Sequence, residues 1–214
     1  MDQVLTLPAN SITQTNDSAS FPLDLDGTAV TVRRAVMSDA RSIFDLYIRV
    51  AHEEPGHLSL EEDEVTLDYI HNELHHGFHR GLVMVLEMDG CIIGYLNAYT
   101  SEVCCSAHVL TQTTMMIEPG CQDRGLGGTL LESYLQDMQS TMPHIYRFEL
   151  FPHQSNQRAI EFYEHHGFVR ESEAAAKIRT TAGTFESEVT LVWFNPNFSE
   201  THLKVYQAEL DCQL

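Results

Sequence analysis

Apolar and polar residues recur along this chain with two periods, and the switches between them mark out the elements. Val30-Thr31-Val32-Arg33-Arg34-Ala35-Val36 alternates as a strand does. Ser38 or Asp39 is placed to cap a helix whose apolar stripe is Ile43, Leu46, Tyr47 and Val50. Ser59 followed by Glu62 reads as a capping box for a second helix through Leu67, Ile70 and Leu74, which ends in a turn at Gly77. Residues 82–87 and 91–99 form a hairpin with Asp89-Gly90 as its tight turn, and 108–117 is the next strand. From Thr113 to Gln139 an apolar run ends at a proline, a glycine-rich turn follows, and Leu130, Leu131, Tyr134, Leu135 and Met138 set a helical period. Residues 145–150 are strand-like, 156–163 are helical, and two more strands, 169–178 and 187–194, flank a turn at 181–184. The pattern contains about seven strands interspersed with helices.

The two ends differ from the middle. Residues 1–27 are rich in Ser, Thr, Asn and Asp without a sustained period, as in a flexible arm. Asn195-Pro196-Asn197 breaks the last strand. Within 196–214, Leu203, Tyr206, Gln207 and Leu210 share one face of a short helix, docked either on its own domain or on a second subunit of a homodimer. One domain over 28–195 is expected, since 214 residues bury one substantial core.

Composition narrows the partners. With 31 acidic against 12 basic residues and a formal charge of −19, the chain repels phosphate backbones and anionic lipid and attracts cations. Nucleic acid and membrane are therefore excluded as expected partners. No run approaches the apolar length of a membrane span. Cys91, Cys104, Cys105, Cys121 and Cys212 are odd in number and lack a CxxC spacing, which points to a reducing, cytoplasmic compartment. Glu53, Glu54, Glu61, Glu62, Asp63, Glu64 and Asp68 read either as a solvated face or as a funnel for a cationic amine. His71 and His75 lie four apart on one helical face, but no HExxH-like signature accompanies them, so no metal is expected.

The chemistry sits in the glycine turn. Gly125, Gly127 and Gly128 let backbone amides approach a ligand where a helix N-terminus points outward, an anion site suited to a diphosphate. A P-loop needs Lys and Ser/Thr after its last glycine, whereas Thr129 and Leu130 follow here. A dinucleotide fingerprint needs glycine at Leu130; Glu149, about 20 residues on, keeps that reading open. Gln122-Asp123-Arg124-Gly125-Leu126-Gly127 satisfies a third pattern, Gln/Arg-x-x-Gly-x-Gly/Ala. About 30 residues later comes Asn156-Gln157-Arg158-Ala159-Ile160-Glu161-Phe162-Tyr163, followed by Gly167-Phe168. Its apolar stripe and left-handed exit fit a capped amphipathic helix. Together the two motifs resemble those of the GNAT superfamily of acyl-CoA-dependent N-acetyltransferases, over residues 30–194.

That resemblance implies an α/β (α+β) fold, a mixed and mostly antiparallel twisted sheet flanked by helices, with its central strands splayed around the cofactor. It implies acetyl-CoA as acyl donor and a primary amine, of a small molecule or a peptide, as acceptor, which the acidic charge of the chain favours as a cation. Carried over by position, main-chain groups of Met115, Met116 and Ile117 hold the pantetheine arm. The loop Gln122, Asp123, Arg124, Gly125, Leu126, Gly127 and Gly128 holds the diphosphate, with Asn156 and Arg158 as further contacts. Tyr163 falls on the motif's tyrosine and is the expected general acid. The base is less direct: the family's strand glutamate falls on Thr111, which cannot serve, leaving His108 and Glu149, with Glu118 and His153 also within reach of the chain. The resemblance equally accommodates a non-catalytic acyl-CoA-binding module.

Overall fold

The computed structural model describes residues 21–25, 28–55, 58, 60–180 and 182–211. Its strands are β1 (Phe21–Leu25), β2 (Thr28–Arg34), β3 (Gly81–Met88), β4 (Cys91–Thr100), β5 (Val109–Ile117), β6 (Arg147–Leu150), β7 (Val169–Arg179) and β8 (Phe185–Phe194). The helices are α1 (Ala40–Glu53), α2 (Leu67–Arg80), α3 (Leu126–Thr141), α4 (Gln157–His165) and α5 (Glu200–Asp211). All eight strands join one sheet in the order β1-β2-β3-β4-β5-β6-β8-β7. Every pairing is antiparallel except β5 with β6, which α3 connects. The mixed, mostly antiparallel sheet is thus present with one strand more than expected: β1 lies within the stretch read as an arm and pairs with β2 from Phe21↔Val32 to Leu25↔Thr28.

Two apolar cores lie on opposite faces of the sheet. On one face Leu82, Met84 and Leu86 of β3 meet Leu130, Tyr134 and Met138 of α3 and Ile160 of α4. On the other, Val83 and Val85 meet Ile43, Leu46 and Val50 of α1 and Ile70 and Leu74 of α2. Successive residues of β3 therefore bury into different cores, which is why the strand reads as an unbroken apolar run. β7, at the sheet's edge, is exposed along nearly its whole length, and its Glu171, Glu173 and Lys177 discourage further strand pairing.

The local signals at α1 and α2 resolve differently from the sequence reading. Neither Ser38 nor Asp39 caps α1 with its side chain. Asp39 instead accepts from the Val36 amide at 2.8 Å and from both Nη atoms of Arg33, at 2.8 and 3.0 Å. Ser59 lies outside the described residues, and Glu62 sits in a turn rather than in a helix. The N-cap of α2 is Thr66, whose hydroxyl accepts from the Tyr69 amide at 3.1 Å. The helix does not stop at Gly77, where a Cβ would come within 2.3 Å of Val83 Cγ2 and 2.4 Å of Asn97 Oδ1. That glycine is required by close helix-to-sheet packing, not by a turn.

α5 folds back onto its own domain. The Ser199 amide donates to the Pro143 carbonyl at 2.7 Å, Gln207 Nε2 donates to the Cys104 carbonyl at 3.0 Å, and the Tyr206 ring stacks on His144 with centroids 3.9 Å apart. His144 Nε2 is buried without a hydrogen-bond partner. Burial, with His202 nearby, pulls the His144 pKa down to about 4. An exposed imidazole titrates near ~6.5. The unfolded chain therefore takes up this proton first, so stability is complete above about 6.5 and is lost as pH falls towards 4. Replacing Tyr206 by Ala uncovers the ring. In an NMR titration the His144 resonance of Tyr206→Ala should move from about 4 back towards the exposed-imidazole range; an unmoved midpoint would show that α5 does not cover it.

Candidate active site

The cleft begins at a bulge. In the β4–β5 ladder Tyr99 faces Gln112 and Thr100 faces Leu110, which leaves Thr111 without a partner. A bulged strand bends and twists more strongly there, and the extra residue switches which side chains face which core. Leu110 and, beyond the bulge, Met115 and Ile117 pack on the α3 side, while Met116 packs on the α1–α2 side. β5 and β6 pair only at Val109↔Arg147 and Leu110↔Phe148. Past that point β5 stays with β4 and leaves its other edge to a cleft of two connected chambers, about 670 and 360 Å³. Both chambers are lined by Leu58, Met115, Asn156, Ala159 and Tyr163, which form the waist between them.

The glycine loop closes the end of the larger chamber. Asp123 (φ 58°) and Gly125 (φ 77°) adopt left-handed conformations that turn the chain from the end of β5 into α3. Gly125 is the N-cap of α3, and no side chain caps this end, so the positive end of the helix dipole and its first-turn amides are left to a ligand. A Cβ on Gly127 would meet Phe162 at 3.6 Å and Met115 Cε at 3.7 Å, ordinary contacts, so packing within the protein does not demand glycine there. Open access to the chamber does.

Several predicted contacts act as braces for this loop. Gln122 Nε2 donates to Glu54 Oε1 at 2.8 Å and to the Ile117 carbonyl at 3.3 Å. Arg158 reaches over from α4, donating to Gln122 Oε1 at 2.7 Å and Asp123 Oδ1 at 2.8 Å. Asn156 caps α4, accepting from the Ala159 amide at 3.1 Å. Met115, Met116, Ile117, Gln122, Asp123, Gly125, Gly127, Gly128, Asn156, Arg158 and Tyr163 all line the larger chamber. Arg124 and Leu126 do not; Leu126 is buried in the core behind the loop.

The Tyr163 hydroxyl stands at the waist, its one hydrogen bond among the described residues a long contact of 3.5 Å to Met115 Sδ. Burial pushes its pKa well above that of an ordinary phenol, so the proton stays on oxygen at every physiological pH.

Of the acid–base candidates, three fall elsewhere. His108 lies in the turn before β5, at the far end of that strand from the glycine loop, and its carbonyl accepts from the Tyr146 and Arg147 amides. Glu149 is ion-paired with Arg147, which also holds Glu171. Glu118 is taken by Arg49 at 2.6 Å. None of the three lines either chamber. His153 does line the smaller one, with its Nδ1 3.6 Å from Glu186 Oε1.

Sequence reasoning passed over Glu73. Its carboxylate accepts from the Tyr99 hydroxyl at 2.7 Å and from Asn97 Nδ2 at 3.3 Å, and no cation pairs with it among the described residues. Tyr99 and Asn97 stand opposite Gln112 and Thr114, which line the smaller chamber. Its signal was its place between Ile70 and Leu74 on the inward face of α2, beyond the acidic residues from Glu53 to Asp68 that were singled out.

Among known proteins, residues 41–168 match the acetyltransferase (GNAT) family. The chain belongs to the GNAT acetyltransferase family. The glycine loop and the Asn156–Phe168 motif both lie inside the matched segment. A GNAT acetyltransferase from Streptococcus pneumoniae superposes with TM-score 0.69 at 22% identity, over 77% of this chain and 98% of that one. A ribosomal-protein-alanine N-acetyltransferase from Brucella melitensis gives 0.67 at 16% identity, over 76% and 98%. A GNAT phosphinothricin acetyltransferase from Sinorhizobium meliloti, in complex with acetyl-CoA, gives 0.67 at 16%, over 79% and 90%. No curated protein matches the sequence. Among the described residues of this GNAT chain no His, Cys, Asp and Glu group could hold a metal, and no helix is long and apolar enough to cross a membrane.

Burial raises the Glu73 pKa above the usual carboxylate range. A raised acid is favoured in the folded state when protonated, so its contribution is lost as pH rises through the folded value. Glu73→Gln keeps an acceptor for Tyr99 and removes the half-buried charge; its Nε2 replaces the oxygen that faces Asn97 Nδ2, and turning the Asn97 amide over presents to it Oδ1, which has no partner among the described residues. The variant should melt roughly 2–4 °C above the parent at pH 8, the gap closing as pH falls towards 4. A lower Tm at pH 8 would refute this account.

Proposed function

We propose that the protein transfers the acetyl group of acetyl-CoA to a primary amine by direct attack on the thioester. The observation that carries this reading is that an uncapped helix N-terminus, the unpaired edge of β5 and a half-buried, protonated tyrosine open onto one cleft. The donor set suits coenzyme A: amides for the diphosphate in the larger chamber, strand-edge groups between 111 and 117 for the amide-bearing arm, and apolar Met115 and Phe162 beside it.

The acetyl donor supplies an activated carbonyl and a sulfur leaving group. The Tyr163 hydroxyl gives its proton to the departing sulfur, and an amide near the end of β5 stabilises the charge on the carbonyl oxygen. The acceptor enters the smaller chamber, where the −19 charge of the chain favours an ammonium over an anion; Glu188 at the wall is already held by Lys177. His153 is placed there to take the amine's proton, held by Glu186 on its Nδ1 side. Cys91, Cys105 and Cys121 form no disulfide among the described residues, which supports a reducing, cytoplasmic compartment; Cys212 lies outside the described residues.

A second reading has one observation in its favour: Thr111 and its neighbours on β5 offer no titratable base, as in a module that binds acyl-CoA without turning it over. Release of free thiol across a panel of primary amines separates the two, and a folded sample that binds acetyl-CoA yet releases none would favour the module.

Gly127→Glu places a carboxylate in the diphosphate chamber with room for its Cβ. It should keep the parental melting temperature and lose acetyl-CoA binding by calorimetry; undiminished affinity would remove the loop from the site. Tyr163→Phe should lower kcat by about 10-fold, the modest end of acid catalysis, because a thiolate leaves readily near neutral pH. Acetyl-CoA affinity should stay within about threefold, and an unchanged kcat would take Tyr163 out of the mechanism.

A further inference from the structure

The cofactor chamber has an odd charge balance for an anionic ligand. Glu54, Asp123 and Glu161 line it, and its one arginine, Arg158, is already paired with Asp123. His166, which neither motif assigns, also lines it. The ring is held on two sides. Its Nδ1 lies 2.7 Å from the Phe162 carbonyl, and the Phe162 ring packs against it with centroids 4.4 Å apart. A carbonyl accepts only, so Nδ1 carries a proton and Nε2 is the atom that gains or loses the second one. Nε2 is aimed at the first turn of α3: it lies 3.0 Å from where a Cβ on Gly128 would be. Glycine at 128 is what lets the imidazole approach that turn.

We propose that His166 is a phosphate ligand of the coenzyme, and that acetyl-CoA binds together with a proton taken up from solvent on His166 Nε2. The inference rests on the acetyl-CoA reading above and extends it to a residue and a stoichiometry. The charged groups around the ring set the sign. Glu132 of α3 stands 3.8 Å from Nε2 but is largely exposed, so water screens it in the free protein. On α4, His165 lies 5.5 Å away ring to ring, and a second imidazole opposes protonation. Across the chamber are Asp123 with Arg158, Glu161 and Glu54, and Arg124 belongs to the loop. Phosphates arriving at the first turn of α3 place negative charge beside Nε2, in a site the ligand itself dries. Both effects strengthen the attraction and hold the second proton on the ring. The proton comes from bulk water and leaves with the coenzyme; no covalent bond changes.

Calorimetry of the full chain with 3′-dephospho-CoA, which lacks the titrating phosphomonoester of CoA, tests this without confusion from the ligand. At pH 7.5, titrations in phosphate and in Tris should differ in heat by about 0.5–1 proton taken up per site. Affinity should rise about 5–10-fold between pH 8.5 and 6.5. His166→Gln should abolish the proton uptake and flatten the pH dependence, with its affinity converging on the parent's at pH 8.5. Binding by the parent with no net proton uptake overturns the proposal, and so does uptake that survives in His166→Gln. Absence of any heat with acetyl-CoA across this pH range would instead remove the acetyl-CoA reading, and this inference with it.

Discussion

The site depends on one event in the sheet, the parting of β5 from β6 after two rungs. A parallel pair that continued would satisfy every main-chain group along its length and leave no room between the strands. The extra residue at Thr111 bends β5 while its ladder with β4 runs on to Gly94↔Ile117. The consequence is an unpaired strand edge inside a folded domain, and such groups must find a partner in water or in a ligand. Because α3 starts within a few residues of the same strand's end, its N-terminus arrives at the mouth of the gap. One irregularity thus creates the space, the strand edge and the placing of the helix dipole.

The two cores keep this gap open. Leu130, Tyr134 and Met138 anchor α3 on one face, and Ile70 and Leu74 anchor α2 on the other, so neither helix can slide into the cleft without emptying a core. The Tyr134 hydroxyl, fully buried, reaches the Leu82 and Ala98 carbonyls at 3.2 and 3.3 Å and ties α3 to β3 and β4. Gly77 does the corresponding work for α2 by removing a Cβ where the helix meets Asn97. The polar cluster around Glu73 lies just behind the smaller chamber for the same reason: close packing of α2 against Asn97 and Tyr99 holds its carboxylate half-buried.

What could be read in advance was what is local. The loop from Gln122 to Gly128 and the helix from Asn156 to Tyr163 carry their meaning in spacing of a few residues, and the chamber brings most of them together. Non-local properties escaped. Whether His108 or Glu149 faces a cleft depends on which neighbour claims each side chain; Arg147, two residues back on the same strand face, claims Glu149 and is itself fixed by Glu171 of β7, which is distant in sequence. Gly77 looked like a stop because packing against Val83 is invisible along the chain. β1 was missed because a short edge strand without a strong period is set by its partner β2 rather than by its own pattern. Ser38 and Asp39 misled in another way: a capping residue can be captured by a stronger partner, here Arg33.

Charge presents the sharpest constraint on how such a chain could hold coenzyme A. A protein of −19 opposes a polyanion at long range, so attraction must be short-ranged and directional. Main-chain amides at a helix N-terminus meet that requirement, since they carry no net charge and act within a few ångströms. The arginine that reaches the loop from α4 supplies rigidity instead: by clasping Gln122 and Asp123, Arg158 fixes the loop's shape before any ligand arrives. Pre-forming the loop lowers the ordering cost of binding, which a free arginine reaching for phosphate would not do. On the proposed reading the same overall charge would act in the useful direction at the opposite chamber, drawing in an ammonium acceptor and repelling the departing anion. Such acidity would work with a cationic acceptor and against the coenzyme, and the glycines of α3's first turn are what would reconcile the two.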